Sequence, residues 1–434
     1  MSGFIAVDLP PLLAAMLAAL VCGLLGNWLV LRRTSLMGDA ISHAILPGIV
    51  AAFLITGSRA PIPMFIGALV AAGLTVLLSG AVRRYARVDS GAAMGVIFTA
   101  FFALGILLIE AAAARQVDLD PDCVLYGSLE TLVWFPPSDR SLLTDPRTLL
   151  LLPTPVLTLA VVTLVVVIVL RLLRKEITLA SFDPELAASL GFRPNLLHGV
   201  LMLLVAVAAI ASFEAVGSIL VVALLTCPAA AARLWTDRLV VQIRLSAAIA
   251  VAMALVGYLL AATAPAWLGT SDAISVAGTI SVMGGVAIAI SAIASPAHGV
   301  VAARLRQRAL AQRVAREDLL GFLYRLAESG TDSVDAARAA SVASAAIAGL
   351  RSAVARGEVR SDGGTLRLTE VGHAEARAII RRHRLWEGFL AEELRLPADH
   401  VHATAERLEH FADAAPSQRE GERADPHGKP IPDG

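Results

Sequence analysis

Residues 36–48 read Leu-Met-Gly-Asp-Ala-Ile-Ser-His-Ala-Ile-Leu-Pro-Gly, placing a carboxylate, Asp39, and an imidazole, His43, at the start of an apolar segment that runs to about Gly57. In a helix the i,i+4 spacing puts both side chains on one face, where they can hold a divalent cation together. Ionisable groups inside a membrane span are costly, and their presence points to function. The stretch alone also admits a plainer reading, with Asp39 as a helix-start cap and His43 hydrogen-bonded to a neighbouring helix.

The surrounding chain settles the solvent. Hydrophobic residues make up 57% of 434 positions and the mean hydropathy is +0.72, well above a soluble domain. Charge is unevenly spread: residues 1–303 carry 16 Lys+Arg and 16 Asp+Glu, whereas the last 131 residues carry 20 of each. The expected organisation is a transmembrane domain over 1–303, a linker helix and winged helix-turn-helix over 304–372, and a helical metal-binding or dimerisation domain over 373–434.

Apolar runs of the ~20 residues that cross a bilayer lie near 10–31, 39–57, 60–82, 91–113, 149–173, 195–212, 216–232, 245–264 and 273–295. Only Ser212-Phe-Glu214-Ala-Val-Gly217 interrupts the pair at 195–232, as a loop or as a kink, so the fold class is an all-α polytopic bundle of about 8–9 spans. Basic clusters at Arg32/Arg33, Arg83/Arg84/Arg87, Arg171/Arg174/Lys175, Arg233/Arg238/Arg244 and from Arg304 onward alternate with acidic or neutral loops such as Asp118–Asp122. By the positive-inside rule the N-terminus is expected outside and the C-terminal domain in the cytoplasm. Residues 1–9 carry no positive charge, so no cleaved signal peptide is expected.

Cys22, Cys123 and Cys227 form no CxxC pair. Cys227-Pro228 is reminiscent of heavy-metal pumps, but such a pump needs a large soluble ATPase domain, and Cys227 is read as a core residue. The two lysines, Lys175 and Lys429, fall outside any GxxxxGK[ST] phosphate loop, so ATP hydrolysis is expected on a separate subunit and the chain itself is not an enzyme. Between two long apolar runs, residues 180–191 carry Asp183 as a cap, Pro184 at the first helical position and Gly191 past the end. This short helix reads as a docking contact for a motor protein or as an ordinary surface helix.

The stretches LMGDAISHAILPGI, FDPELAASLGF and FEAVGSILVVALLTCPAAAARL together resemble the membrane permease of the manganese/zinc/iron family of ATP-binding-cassette importers, over residues ~10–300. The resemblance implies two permease copies, identical or close paralogues, with two separate ATPase subunits and an extracytoplasmic metal-binding protein in the cell membrane. It places Asp39 and His43 on the metal path and makes Phe182–Gly191, with Asp183 and Glu185, the coupling helix. Glu214 is left between a structural hydrogen bond and metal contact.

Beyond a basic helix over Arg304–Arg316, the expected order is helices at Asp318–Ser329, Ser333–Ala340 and Val342–Arg356. A β-ribbon turning at Asp362-Gly-Gly364 and two helices from Glu370 to about Ala412, broken at Leu396-Pro397, complete it. His402, Glu406, Glu409 and His410 share one helical face, and His383 with Glu387 forms another i,i+4 pair. Glu406 and Glu409 alone would read as a solvated face, but six of the nine histidines lie in this region. Imidazoles with carboxylates and no thiol suit manganese, iron(II) or zinc.

EDLLGFLYRLAE, LTEVGHAEARAIIRRHRLWEGFLAEELRLP, VHATAERLEH and PHGKPIP resemble the diphtheria-toxin-repressor and manganese-transport-regulator family. That resemblance implies a principal metal site at Asp318, His383, Glu406, Glu409 and His410, with Glu387 and His402 at an ancillary position. Gly321 stands where a glutamate would be expected, and Glu406 replaces a cysteine of the iron-responsive branch, which favours manganese. The would-be recognition helix, Ser341–Leu350, has no Arg, Asn or Gln for base edges. Arg351, Arg356, Arg360 and Arg367 can meet phosphates or the domain's own acids, so DNA is not an expected partner. Two functions remain: a divalent-metal permease with a cytoplasmic sensing domain, and a membrane-anchored metal-responsive DNA regulator.

Overall fold

The computed structural model describes residues 4–34, 36–58, 61–113, 129–134, 151–269, 274–335, 346–410, 416–418 and 423–433. The Asp118–Asp122 loop, Cys123 and residues 341–345 of the expected recognition helix lie outside them. The chain divides into two compact units, Met1–Ala302 and Ala303–Gly434.

The first unit is helical: α1 (Leu9–Leu31), α2 (Leu36–Thr56), α3 (Pro61–Ala86), α4 (Ser90–Ala113), α5 (Thr154–Leu172), α6 (Arg174–Phe182), α7 (Pro184–Ser189), α8 (Pro194–Trp235), α9 (Leu239–Leu268) and α10 (Val276–Ala294). Eight of these, all but α6 and α7, are long and apolar enough to cross a membrane. In lipid, helices associate through close packing, so small residues mark the crossings. A Cβ on Gly26 would lie 1.9 Å from the Leu225 carbonyl oxygen, and Gly48 of α2 and Gly67 of α3 each abut the other's carbonyl, where a Cβ would sit 2.4 Å away.

The 42-residue α8 departs from a single rod at Gly217, whose φ of 77° and ψ of 167° lie in territory that only glycine occupies at low cost. Contacts on α1 show how sharply it bends. Ser212 Oγ lies 3.7 Å from Cys22 Sγ, while Leu225 packs on Gly26. Thirteen helical residues span about 20 Å and four span about 6 Å, so the second half of α8 returns along α1. The far end agrees: Trp235 Nε1 donates to Ser291 Oγ at the end of α10 (3.0 Å), and Glu130 accepts from the Val276 N–H at its start (3.1 Å). Thus α8 passes twice, and the two runs expected at 195–212 and 216–232 are one helix folded at glycine. Nine passes result among the described residues, with Arg193 and Arg233 at the same end of the bundle.

The second unit begins in α11 (Val300–Glu328), which fuses the expected basic linker and the first expected helix. It continues through β1 (Val334–Asp335), α12 (Ala346–Ala355), β2 (Val359–Asp362), β3 (Thr365–Leu368), α13 (Glu370–Glu392) and α14 (Ala398–Leu408). The helix expected at Ser333–Ala340 opens instead as a strand: Val334, buried and β-branched, pairs with Leu366, giving sheet order β1-β3-β2. Residues 336–340 are outside the described set. Gly363 and Gly364, with φ of 59° and 87°, make the β2–β3 turn. Leu319, Leu323, Val359, Leu366 and Ile379 form the core beneath it, and Leu390, Val401 and Ala405 join α13 to α14.

Candidate metal centres

Asp39 and His43 stand in the first two turns of α2, with Oδ1 and Nε2 3.3 Å apart. The imidazole packs edge-on against Phe98 and Phe102 of α4, with ring centroids 4.6 and 5.4 Å away. These rings pack against it while both Asp39 and His43 keep partial exposure. Glu214 sits one turn before the Gly217 break and is exposed.

The insert preceding α8 folds as its residues dictate. Asp183 Oδ1 accepts the Leu186 N–H (2.9 Å), Pro184 opens α7, and Gly191 turns away at φ 86°. Phe182, Leu186 and Leu190 remain exposed, an apolar cap on a polar side of the bundle. Arg32, at the end of α1, donates to Ser181 Oγ (3.0 Å), the Ala180 carbonyl (3.3 Å) and His198 Nδ1 (2.7 Å). One side chain therefore ties the insert and the start of α8 to the turn that leads into α2.

In the second unit α11, α13, α14 and the residues just after α14 bring two candidate ligand groups together. In the first, His383 Nε2 lies 3.1 Å from Glu387 Oε1 and 3.1 Å from His402 Nδ1, which is itself 2.7 Å from Glu387 Oε1. In the second, His410 Nε2 lies 3.2 Å from Asp318 Oδ1, with Glu409 beside them. Glu409 bridges the groups, because its Oε2 meets His383 Nδ1 at 2.5 Å. Burial opposes protonation of His383, but its hydrogen bonds to Glu387 and Glu409 raise its pKa, and a metal at Nε2 would replace that nitrogen's proton while Nδ1–H stays on Glu409. His410 is held likewise, its Nδ1 on Glu317 Oε2 at 2.8 Å.

The electrostatics pair the imidazoles with the carboxylates. Burial alone would raise the Glu387 carboxyl, but hydrogen bonds from His383 and His402 hold it at about 2. Burial likewise opposes protonation of His410, yet its bonds to Asp318 and Glu317 and the nearby Glu409 charge push it up to about 9. The donors are nitrogen and oxygen only, and in each group they converge within 4.8 Å, a set that fits a divalent first-row metal.

Residues 8–133 and 147–289 match the ABC 3 transport family. The chain belongs to that family. It is 39% identical to the manganese transport system membrane protein MntD of Bacillus subtilis over 67% of its own length and 92% of the relative's. The zinc transport system membrane protein TroD of Treponema pallidum is 34% identical over 69% of this chain and 77% of its own. Among solved structures, PsaBC from Streptococcus pneumoniae in complex with Fab superposes with TM-score 0.54 at 26% identity, covering 68% of this chain and 95% of that one. Residues 369–419 match a second family, the metal-binding and dimerisation domain of iron-dependent repressors. This ABC 3 chain is therefore a multi-pass membrane permease carrying a metal-regulator domain.

On this ABC 3 chain Asp318, Glu409 and His410 of the expected principal site lie together, while His383 lies with the expected ancillary pair, Glu387 and His402. His402 joins His383, whereas Glu409 and His410 follow the end of α14 and turn to Asp318. Glu406 is exposed and belongs to neither group. Glu317, buried beside Asp318, goes unnoticed in the sequence; its i,i+4 spacing from Arg313, to which it bonds at 2.8 Å, was the available signal. Gly321, where a glutamate was expected, lies one turn beyond it.

Proposed function

We propose that this permease imports a divalent transition metal, manganese in the first instance, and that its second unit senses the imported ion from the cytoplasm. Asp39 and His43 supply two donors to the ion in transit. A second permease copy lines the path, a separate ATPase docks on Phe182–Gly191, with Asp183 and Glu185 on its surface, and an extracytoplasmic protein delivers the metal. Eight candidate spans, with α8 doubled back at Gly217, support this orientation: Arg32, Arg83, Arg174, Arg233 and Arg304 then all fall on one side, the cytoplasmic side by the positive-inside rule.

The observation that carries the sensor reading is the joining of a permease to two bridged histidine–carboxylate groups in one chain. Anchoring a DNA regulator accounts for neither the nine passes nor the intramembrane Asp–His pair. Manganese is favoured because a relative 39% identical bears that name and because the Asp318 group is rich in carboxylate oxygen. Proteoliposomes containing the permease, its ATPase and a metal-sensitive dye test transport: ATP-driven, saturable manganese entry is expected. Import of neither manganese, iron nor zinc would overturn the reading.

A further inference from the structure

We infer that the crevice between α6 and the start of α9 is a binding site for an anionic phospholipid, whose phosphate is held by Arg174, Lys175 and Arg238. The crevice encloses about 730 Å³, within the ~300–1,000 Å³ of small-molecule sites. Its lining is of two kinds. Arg174 and Lys175 open α6 directly after the span α5, and Arg238 directly precedes the span α9, so the three cations belong to the level at which helices leave the lipid. Val240 and Val241, exposed in the first turn of α9, line the same crevice at the level of the acyl chains, and exposed Phe182 adds an aromatic face from α6.

The cations lack counter-charges of their own. Among the described residues none of the three lies within ion-pair reach of a carboxylate, although two acids are neighbours in sequence. Asp237 is engaged by Arg233 (3.0 Å) and His298 (3.2 Å), and Glu176 has its Oε2 buried. An anion is therefore the complement of the rim. A free phosphate would answer the charges but leave the apolar wall facing water, whereas a phospholipid covers both, and basic pockets between membrane helices recognise anionic headgroups in this way. The wall also argues against a soluble subunit as occupant: Val240 and Val241 belong to a helix long and apolar enough to cross a membrane, and lipid reaches them from the side.

Native mass spectrometry of the full-length permease in detergent, titrated with equal amounts of phosphatidylglycerol and phosphatidylcholine, tests the site. The parent should retain phosphatidylglycerol in preference to phosphatidylcholine, and inorganic phosphate at the same concentration should not displace it. The triple variant Arg174→Gln, Lys175→Gln, Arg238→Gln should weaken that retention at least about tenfold. The charge-preserving triple Arg174→Lys, Lys175→Arg, Arg238→Lys should keep it, and failure of both triples would trace the loss to the fold and overturn the charge assignment. Removing equal charge at Arg83, Arg84 and Arg87 should leave retention intact; an equal loss there would mean diffuse surface attraction and no site. The proposal also falls if the glutamine triple binds phosphatidylglycerol like the parent, or if inorganic phosphate displaces the lipid, which would make the crevice a free-anion site. If the glutamine triple instead loses the ATPase while keeping the lipid, the crevice belongs to the motor contact.

Discussion

His410 is the residue whose surroundings impose the clearest condition on metal binding. Its Nδ1 meets Glu317 and its Nε2 faces Asp318, with Glu409 adjacent, so the proton is held up to about 9 against the ordinary 6.5. A raised histidine value stabilises the folded unit below about pH 6.5, and that contribution is lost as pH rises through about 9. A metal must displace the same proton. Apparent manganese affinity at this group should therefore rise about tenfold between about pH 7 and pH 8, as calorimetry on the full-length protein would show, and flat affinity would exclude His410 as a ligand. In the membrane, His43→Ala removes one of the two proposed donors, and uptake should fall at least about tenfold, the scale on which even outer-shell partners of metal ligands act. Normal uptake by a correctly inserted His43→Ala permease would remove the pair from the path. Asp39, His43, His383 and Glu387 were legible in sequence because helical spacing alone brings each pair together. Glu317 was not: a contact made across 93 residues, to His410, decides its role.

At the scale of elements, α8 shows both what the pattern conveys and what it omits. Hydropathy gave two spans and a break, but the continuous apolar run concealed that one glycine reverses the helix. Gly217→Ala would force a Cβ into a conformation costing about 1–3 kcal/mol, so this variant should melt at lower temperature in detergent and incorporate poorly. Unchanged melting would mean that the reversal does not depend on glycine. The strand at Val334 was hidden for the opposite reason, since pairing with Leu366 is non-local and two residues carry no periodicity. Arg32 connects the insert to the turn before α2, and its three donors use the fork of a guanidinium, which an ammonium cannot reproduce. Arg32→Ala should leave the ATPase bound and active while uptake per ATP falls several-fold, with Arg32→Lys recovering part of it. If stoichiometry is unchanged in Arg32→Ala, the motion passes elsewhere.

For the whole molecule, the proposed sensing role predicts feedback. An ion that binds one arrangement of the second unit more tightly shifts that equilibrium by the difference in affinity, and about 1–3 kcal/mol suffices to change flux several-fold. Import would then slow as its product accumulates. The direct test is manganese uptake into vesicles preloaded with increasing internal manganese, comparing the parent with a His383→Ala, Glu409→Ala, His410→Ala triple variant. The expected result is that parental uptake declines as internal metal rises while the variant transports at the uninhibited rate throughout. Identical dependence on internal manganese in the two proteins would contradict a sensing role for the second unit.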